Sequence, residues 1–195
     1  MKIVISGIGE MGSHLARMLS GNGHDITVID IDTKALNELN TLADLITIEG
    51  DTTTFAVLRK AGVRRCDLFI AVNHDENQNI LAAIMAKQLG AKKSIARVDN
   101  NEYLEPNNKE MFINMGIDYL FYPEKVAAQE VKVLNEAQTP PFTIEENSDG
   151  GDDLRIGRVQ LRLHAAHQIL DLAHIAVHDA GLHVGYSVSA NHGFG

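Results

Sequence analysis

Three glycines and one aspartate near the amino terminus have the types and the spacing of a nucleotide-binding site. Gly7, Gly9 and Gly12 form the pattern Gly-x-Gly-x-x-Gly, and Asp30 follows further along the chain. In such a pattern the first glycine permits a tight turn, the second lets the backbone approach phosphates, and the third lets a helix pack close to a strand. A carboxylate at Asp30 can accept both hydroxyls of a ribose. The alternative is a glycine-rich turn with a structural role only.

This pattern is specific only where a strand leads into it and a helix follows it. Residues 2–6 are a short, mostly apolar run that ends at Gly7, and residues 11–22 carry apolar side chains at helical spacing. Residues 26–29 form a second apolar run, which ends at Asp30. The amino end of a helix offers unpaired N–H groups and a positive dipole end to phosphates. These residues therefore predict a strand–helix–strand unit that binds an adenine nucleotide or dinucleotide.

The alternation of strands and helices continues after this unit. Further strands are predicted at 45–49, 68–72, 94–98 and 119–122, and helices at 33–42, 54–61, 76–89 and 103–115. Apolar strands that alternate with amphipathic helices are typical of a parallel sheet covered on both faces. We therefore predict an α/β fold with a doubly wound, six-stranded parallel sheet of the Rossmann type. Its ligand should lie outside the carboxyl ends of the strands, near the switch point between the first and the fourth.

Short polar side chains and glycines predict where these helices begin and end. Asp32 or Thr33 can cap the second helix, Thr52 or Thr53 the third, and Asp75 the fourth. Left-handed residues are expected just after three helices, at Gly62, Gly90 and Gly116.

Polar residues directly follow three of the later strands. Asp51 can accept a hydrogen bond from an adenine amino group, although a turn aspartate equally often caps a helix. Asn73 can meet ribose or phosphate, and Arg97 suits a phosphate or an interstrand carboxylate. No residue is predicted to be catalytic. The full predicted binding set is Gly7, Ile8, Gly9, Glu10, Met11, Gly12, Asp30, Ile31, Asp51, Thr52, Asn73 and Arg97.

Composition limits the class of partner. The 195 residues carry a formal net charge of -9, which argues against nucleic acid because phosphate backbones are held by clustered lysine and arginine. The single cysteine, Cys66, excludes an internal disulfide and fits a reducing compartment. No apolar run approaches the length of about 20 residues that spans a membrane, and the start lacks a signal-peptide pattern. We expect a soluble, cytoplasmic protein without direct membrane insertion.

The carboxyl-terminal third differs in character. A helix is predicted at 124–136, lying either across a partner subunit or over the sheet edge, and residues 138–153 are interpreted as a linker. Residues 154–195 are an appendage of uncertain structure. Four of its histidines, His164, His167, His174 and His178, share one arc of a helical wheel if 163–180 is helical. They lack a recognised cysteine or carboxylate frame, so a polar helix face is favoured and no metal is predicted.

Several motifs in order give the chain a family resemblance. The glycine pattern, the Asp30–Asp32 pair, and the segments 50–52, 71–76, 95–98 and 116–124 together resemble the nucleotide-binding lobe of Trk-type potassium uptake regulators and the related regulator-of-potassium-conductance (RCK) domains. The resemblance covers residues 1–137 and implies a non-enzymatic, cytoplasmic protein. It also implies assembly as a homodimer or larger ring that docks on an integral-membrane potassium transporter at the inner membrane. Residues 138–195 depart from the family pattern.

The same resemblance implies roles for individual residues. The three glycines of the pattern would meet the phosphates, Asp30 the adenosine ribose and Asp51 the adenine side. Asn73 and Arg97 would meet the distal part of the ligand. The implied ligands are NAD or NADH, with ATP and ADP as further possibilities.

One position of the glycine pattern separates these ligands. Some relatives have arginine after the second glycine, where it can meet a terminal phosphate, whereas this chain has Glu10. A carboxylate there would repel the γ-phosphate of ATP, which favours NAD(H) or a diphosphate.

The resulting hypothesis is a nucleotide sensor that gates a potassium uptake transporter by a ligand-dependent conformational change. The alternative is a fragment of an NAD-dependent dehydrogenase, because the same lobe serves both functions. A third interpretation, a structural assembly module, predicts no nucleotide affinity.

Overall fold

Residues 1–123 are described by a computed structural model, and they form one parallel sheet with helices on its faces. The strands are β1 (Lys2–Ser6), β2 (Asp25–Asp30), β3 (Ile46–Glu49), β4 (Leu68–Ala71), β5 (Lys93–Arg97) and β6 (Tyr119–Phe121). The helices are α1 (Glu10–Gly21), α2 (Thr33–Leu42), α3 (Phe55–Lys60), α4 (Glu76–Leu89) and α5 (Pro106–Asn114). Short 3-10 turns lie at Val63–Arg65 and Asn101–Leu104.

The sheet has the strand order β3-β2-β1-β4-β5-β6, and every neighbouring pair is parallel. The chain moves outward from β1 in one direction and then returns to β4 on its other side. Ser6 therefore pairs with both Ile29 and Ala71 at the carboxyl ends. This is the doubly wound α/β fold predicted above, with its switch point between β1 and β4.

Alternate residues of the strands serve two apolar layers. One layer joins Ile3 and Ile5 to Leu15 of α1 and Leu36 of α2. The other joins Val4 and Phe69 to Leu58 of α3 and to the small residues Ala82 and Ala86 of α4. Because both faces of the sheet are covered, β1 and β4 are buried apart from Lys2. Their carboxyl ends are left as the place where loops can shape a site.

The predicted elements all exist in the described part of the chain, and most bounds are within one residue. One predicted helix is wrong at its start: the segment 103–115 is divided into a 3-10 turn and α5, which begins at Pro106. The cause is proline itself, since the residue before it is pushed out of the α region. Glu105 accordingly has φ -63° and ψ 141°.

Two of the predicted helix caps are confirmed and one is wrong. Asp32 accepts hydrogen bonds from two N–H groups of α2, and Asp75 accepts one from Asn77 of α4. Helix α3 is preceded by Thr54, which makes no side-chain capping bond. The predicted caps Thr52 and Thr53 fail because Asp51 holds Thr53 in a turn while Thr52 is buried. Left-handed backbone is confirmed at the three positions Gly62, Gly90 and Gly116.

The predicted helix 124–136, the linker 138–153 and the appendage 154–195 with its histidines lie outside the described residues. Within residues 1–123, no helix has both the length and the apolar character that a bilayer crossing requires.

Candidate functional site

The loops after four neighbouring strands enclose one cavity of about 430 Å³ at the carboxyl edge of the sheet. It lies at the switch point, where doubly wound sheets bind their ligands. The lining residues come from the β1–α1 turn, the β2–α2 turn, the loop after β3 and the β4–α4 loop. They are Gly7, Ile8, Gly9, Asp30, Ile31, Asp32, Ala35, Gly50, Thr52, Asn73, His74, Asp75 and Gln78.

The glycine turn is built so that its backbone can lie against two neighbours. Gly7 has φ +103°, and a Cβ there would stand 2.7 Å from the backbone N of Asn73. A Cβ on Gly12 would stand 1.9 Å from the carbonyl oxygen of Gly7. A Cβ on Gly9 would meet nothing within 4 Å, so this residue faces open space. Two glycines are thus required by the fold, and the third leaves room that a ligand can use.

Asp30 anchors the glycine turn to the end of β2. Its Oδ2 accepts from Ile8 N at 2.6 Å, and its Oδ1 accepts from Asp32 N at 2.9 Å. Ile31, between the two acids, is 71% exposed at the rim. Each carboxylate oxygen can accept more than one hydrogen bond, so Asp30 keeps capacity for a ribose hydroxyl.

The loop after β3 separates two residues that were predicted together. Thr52 is only 2% exposed and lines the cavity, and its Oγ1 has no hydrogen-bond partner among residues 1–123. Asp51 lies outside the lining and accepts from the N–H and the hydroxyl of Thr53 at 2.8 and 2.7 Å. These bonds lower the pKa of the Asp51 carboxyl. Thr52, rather than Asp51, therefore belongs to the wall of the cavity.

A buried asparagine shapes the β4–α4 loop. Asn79 of α4 is fully buried, and its Oδ1 accepts from Asn73 N at 2.7 Å and from Asn73 Nδ2 at 3.1 Å. Its Nδ2 donates to the carbonyl oxygens of Asn73 and Arg97. Asn73 Nδ2 also donates to Ser6 Oγ at 2.7 Å. This network holds the loop against the glycine turn and ties it to β1 and β5.

Four of the sequence-predicted binding residues, besides Asp51, lie outside the cavity lining: Glu10, Met11, Gly12 and Arg97. Glu10 and Met11 begin α1, and Met11 packs on the core. Gly12 serves the close packing described above. Arg97 donates to Asp99 Oδ1 at 2.7 Å, so its observed partner is a carboxylate.

Sequence reasoning missed six of the lining residues: Asp32, Ala35, Gly50, His74, Asp75 and Gln78. The sequence predicts helix capping for Asp32 and Asp75, which they also perform. It also missed Asn79, although an asparagine on the face of α4 that carries Ala82, Ala83 and Ala86 is itself a signal of a buried polar role.

The charged side chains that line the cavity are acidic. Three carboxylates, Asp30, Asp32 and Asp75, face the cavity, and no lysine or arginine of residues 1–123 lines it. Phosphate groups placed here would be held by backbone N–H groups of the glycine turn and by the amino end of α1. Only His74 among the lining side chains can take a positive charge.

Two further features bear on other chemistries. In the described residues, no group of three or more histidine, cysteine, aspartate or glutamate side chains is placed to hold a metal ion. Cys66 is buried, and burial raises the pKa of its thiol to about 12. A larger cavity of about 730 Å³ opens at the amino edge of the sheet around Lys2, Asp25 and Arg65, away from every residue of the glycine turn.

Comparison with known proteins identifies a family and relatives that this chain resembles. The model of the TrkA-N domain family matches residues 3–123. A protein of Archaeoglobus fulgidus described as a Trk system potassium uptake protein TrkA homolog is 42% identical over 135 residues, which are 69% of this chain and 30% of that protein. The chain spans less than two thirds of the length of the curated relatives that it matches first.

Solved structures show the same fold at low identity. The TrkA-N domain of the inner membrane protein YbaL from Escherichia coli has a TM-score of 0.58 at 14% identity, covering 71% of this chain and 96% of that domain. The GsuK channel bound to NAD has a TM-score of 0.51 at 22% identity, covering 61% of this chain and 21% of that channel.

Proposed function

The chain belongs to the TrkA-N domain family, and from that membership we propose that it is the nucleotide-binding regulatory part of a bacterial potassium uptake system. The family is one of regulatory domains of potassium uptake systems and not of enzymes. The proposed protein is cytoplasmic and attached to the inner membrane only through an integral-membrane transporter subunit. It works as a homodimer or a larger ring.

The proposed ligand is NAD or NADH, bound in the cavity at the switch point. The observation that carries the proposal is that the glycine turn and Asp30 line one cavity at the switch point. The GsuK channel, which shares the fold, is described as bound to NAD.

The proposed roles of individual residues are those that the family resemblance implies. The N–H groups of the glycine turn hold the diphosphate, Asp30 binds the adenosine ribose, and the loop of Asp51 and Thr52 bounds the adenine side. Asn73 lies toward the distal half of the ligand. Arg97 can reach that half only if its ion pair with Asp99 opens.

ADP and ATP are secondary candidates for the same cavity. Both present an adenosine that the turn and Asp30 can accept. Glu10 lies in the first turn of α1, at the position where the family resemblance implies contact with a terminal phosphate. Like charges at short distance repel, so ATP is proposed to bind more weakly than ADP or NAD.

Regulation follows from differential binding. A ligand shifts the balance between two arrangements of a dimer or ring only by the difference of its affinities for them. That difference is the coupling free energy available to the transporter. The described residues support the nucleotide half of this proposal, and the family membership supports the potassium transporter as partner.

The test is a thermal-shift and calorimetric titration of the whole chain with NAD, NADH, ADP and ATP. A ligand that binds only the folded protein must raise the melting temperature. We expect a rise with NAD or NADH that is lost in Asp30→Ala and kept in Asp25→Ala, which removes an exposed carboxylate at the opposite end of the same strand. The absence of any shift or heat with all four nucleotides would refute the proposal and leave a structural module.

A further inference from the structure

His74 is the one lining side chain of the described cavity that can become a cation. It lies on the β4–α4 loop, exposed to solvent, beside Asn73 and Asp75. We infer that His74 contacts the phosphates of the bound nucleotide and makes its affinity depend on pH, with tighter binding when the imidazole is protonated. This inference rests on the proposed function, since it concerns the same cavity.

The position of His74 is held from both sides. Asn73 is fixed by bonds to Ser6 and to the buried Asn79. Asp75 is fixed as the cap of α4 by its bond to Asn77 N. The backbone at Asn73 also lies against Gly7, close enough that any Cβ on Gly7 would clash with it. The imidazole therefore leaves an anchored loop that lies directly against the proposed phosphate-binding turn.

The charge of His74 matters because the other charged groups that line the cavity are carboxylates. Carboxylates enter the cavity from the β2–α2 turn and the β4–α4 loop, at Asp30, Asp32 and Asp75. Further charged groups stand on adjoining elements outside the lining. Glu10 begins α1, Asp51 accepts from Thr53 and Gln78, Glu76 accepts from the N–H groups of Asp99 and Asn100, and Arg97 is paired with Asp99. A diphosphate thus meets a predominantly negative surface, in which protonated His74 supplies the compensating charge.

The direction of the pH effect follows from linkage. Histidine side chains change charge between about pH 5 and pH 8. An anionic ligand binds the protonated imidazole better than the neutral one, so affinity is greatest at the acidic end of this range and falls as the pH rises through it. By reciprocity, binding of the ligand must take up protons from solution.

The experiment measures the affinity of the whole chain for NAD and for adenosine by calorimetry at about pH 6 and about pH 8. We expect the affinity for NAD to fall about three- to tenfold at the higher pH, as for one charge-assisted contact in a partly exposed site. Adenosine, which lacks phosphate, should show no such change. At an intermediate pH, titrations of NAD in two buffers of different ionisation enthalpy should show proton uptake.

Variants separate His74 from other titrating groups. In His74→Gln the affinity for NAD should be equal at both pH values, and in His74→Lys it should be high at both. His24→Gln is the matched control, because His24 lines the cavity at the amino edge of the sheet and should leave the pH dependence intact.

Two results would overturn the inference while leaving the proposed function standing: NAD binds equally well at both pH values, or His74→Gln keeps the pH dependence. If neither NAD nor adenosine binds the unmodified chain at either pH, the proposed function fails together with the inference.

Discussion

The backbone N–H of Ile8 donates a hydrogen bond of 2.6 Å to the carboxylate of Asp30, which lies 22 residues further along the chain. This bond joins the glycine turn to the end of the neighbouring strand. The same carboxylate accepts from Asp32 N through its other oxygen. Asp30 therefore shapes the cavity as well as facing it, and replacing it tests both the turn and the ligand.

The position of Asp30 predicts discrimination between NAD and NADP. A 2′-phosphate on the adenosine ribose would be placed against this carboxylate, so we expect NADP to bind at least about tenfold more weakly, or about 1.4 kcal/mol. Parallel calorimetric titrations of the two dinucleotides measure the difference. Asp30→Asn should reduce the difference in affinity between NAD and NADP, whereas Asp25→Asn should leave this difference unchanged. Equal affinities in the unmodified protein would contradict the prediction.

Substitution of the turn glycines should separate folding from binding. Gly12→Ala would place a methyl group 1.9 Å from the Gly7 carbonyl oxygen, and we expect it to lower the free energy of unfolding by about 1–3 kcal/mol or more. Gly9→Ala has open space around its Cβ, so it should cost about 1 kcal/mol at most, as a weaker N-cap. It should nevertheless weaken nucleotide binding because the methyl group enters the ligand space.

Urea unfolding and NAD titration of both glycine variants provide the measurement. Gly21→Ala is the control, because Gly21 lies at the end of the helix α1 and an added Cβ there also meets nothing within 4 Å. It should lower neither the free energy of unfolding nor the affinity for NAD. Normal NAD binding by Gly9→Ala would show that the phosphates do not approach this residue.

Asn79 should be essential for the shape of the β4–α4 loop. Asn79→Ala removes hydrogen bonds to Asn73 and Arg97 inside a fully buried environment. We expect a loss of about 1–3 kcal/mol in the free energy of unfolding, and a weaker affinity for NAD in the fraction that stays folded. Asn77→Ala, on an exposed position of the same helix, is the control. If the two variants have equal free energies of unfolding in urea, Asn79 does not stabilise the β4–α4 loop.

Acid stability should depend on an ion pair at the amino edge of the sheet. Burial raises the pKa of the Asp67 carboxyl, but hydrogen bonds from Lys92 and Lys2 N and the nearby positive charges outweigh it and hold the pKa below its usual range. Because the folded-state pKa is lower than the unfolded one, Asp67 stabilises the fold at neutral pH, and this contribution disappears as the pH falls below about 4.

Lys92→Met should therefore raise the pKa of Asp67 and move acid unfolding to a higher pH. The expected stability change at neutral pH is about 1 kcal/mol or less, since Lys92 is largely exposed. Circular dichroism along a pH titration, with NMR of the Asp67 carboxyl, measures both effects. Lys34→Met, which removes a fully surface pair with Glu38 at 3.9 Å, should leave the acid midpoint in place. If the midpoint of acid unfolding shifts equally in both variants, the cause is the change in net charge and not the loss of the Asp67–Lys92 ion pair.

Local patterns in the sequence are enough to predict the fold of residues 1–123. Each central strand is a continuous apolar run, because both faces of a parallel sheet are buried, and each run ends at a polar residue or a glycine. The glycine turn is equally local, since its steric requirement is expressed in three residue types at fixed spacing. The predicted start of α5 is wrong although Pro106 carries the necessary signal, because the helical spacing of the apolar residues extends across this proline.

Only the tertiary structure decides which side chains line the cavity. The sequence alone determined that Gly7, Gly9 and Asp30 meet at the switch point, because strand order and strand ends bring them together. It could not determine that Thr52 is buried in the cavity wall while Asp51 lies outside the lining, or that Arg97 is paired with Asp99. Side-chain direction in a loop is set by which neighbours offer hydrogen bonds and which spaces are already filled, and those neighbours are distant in sequence. Only the folded chain brings them together.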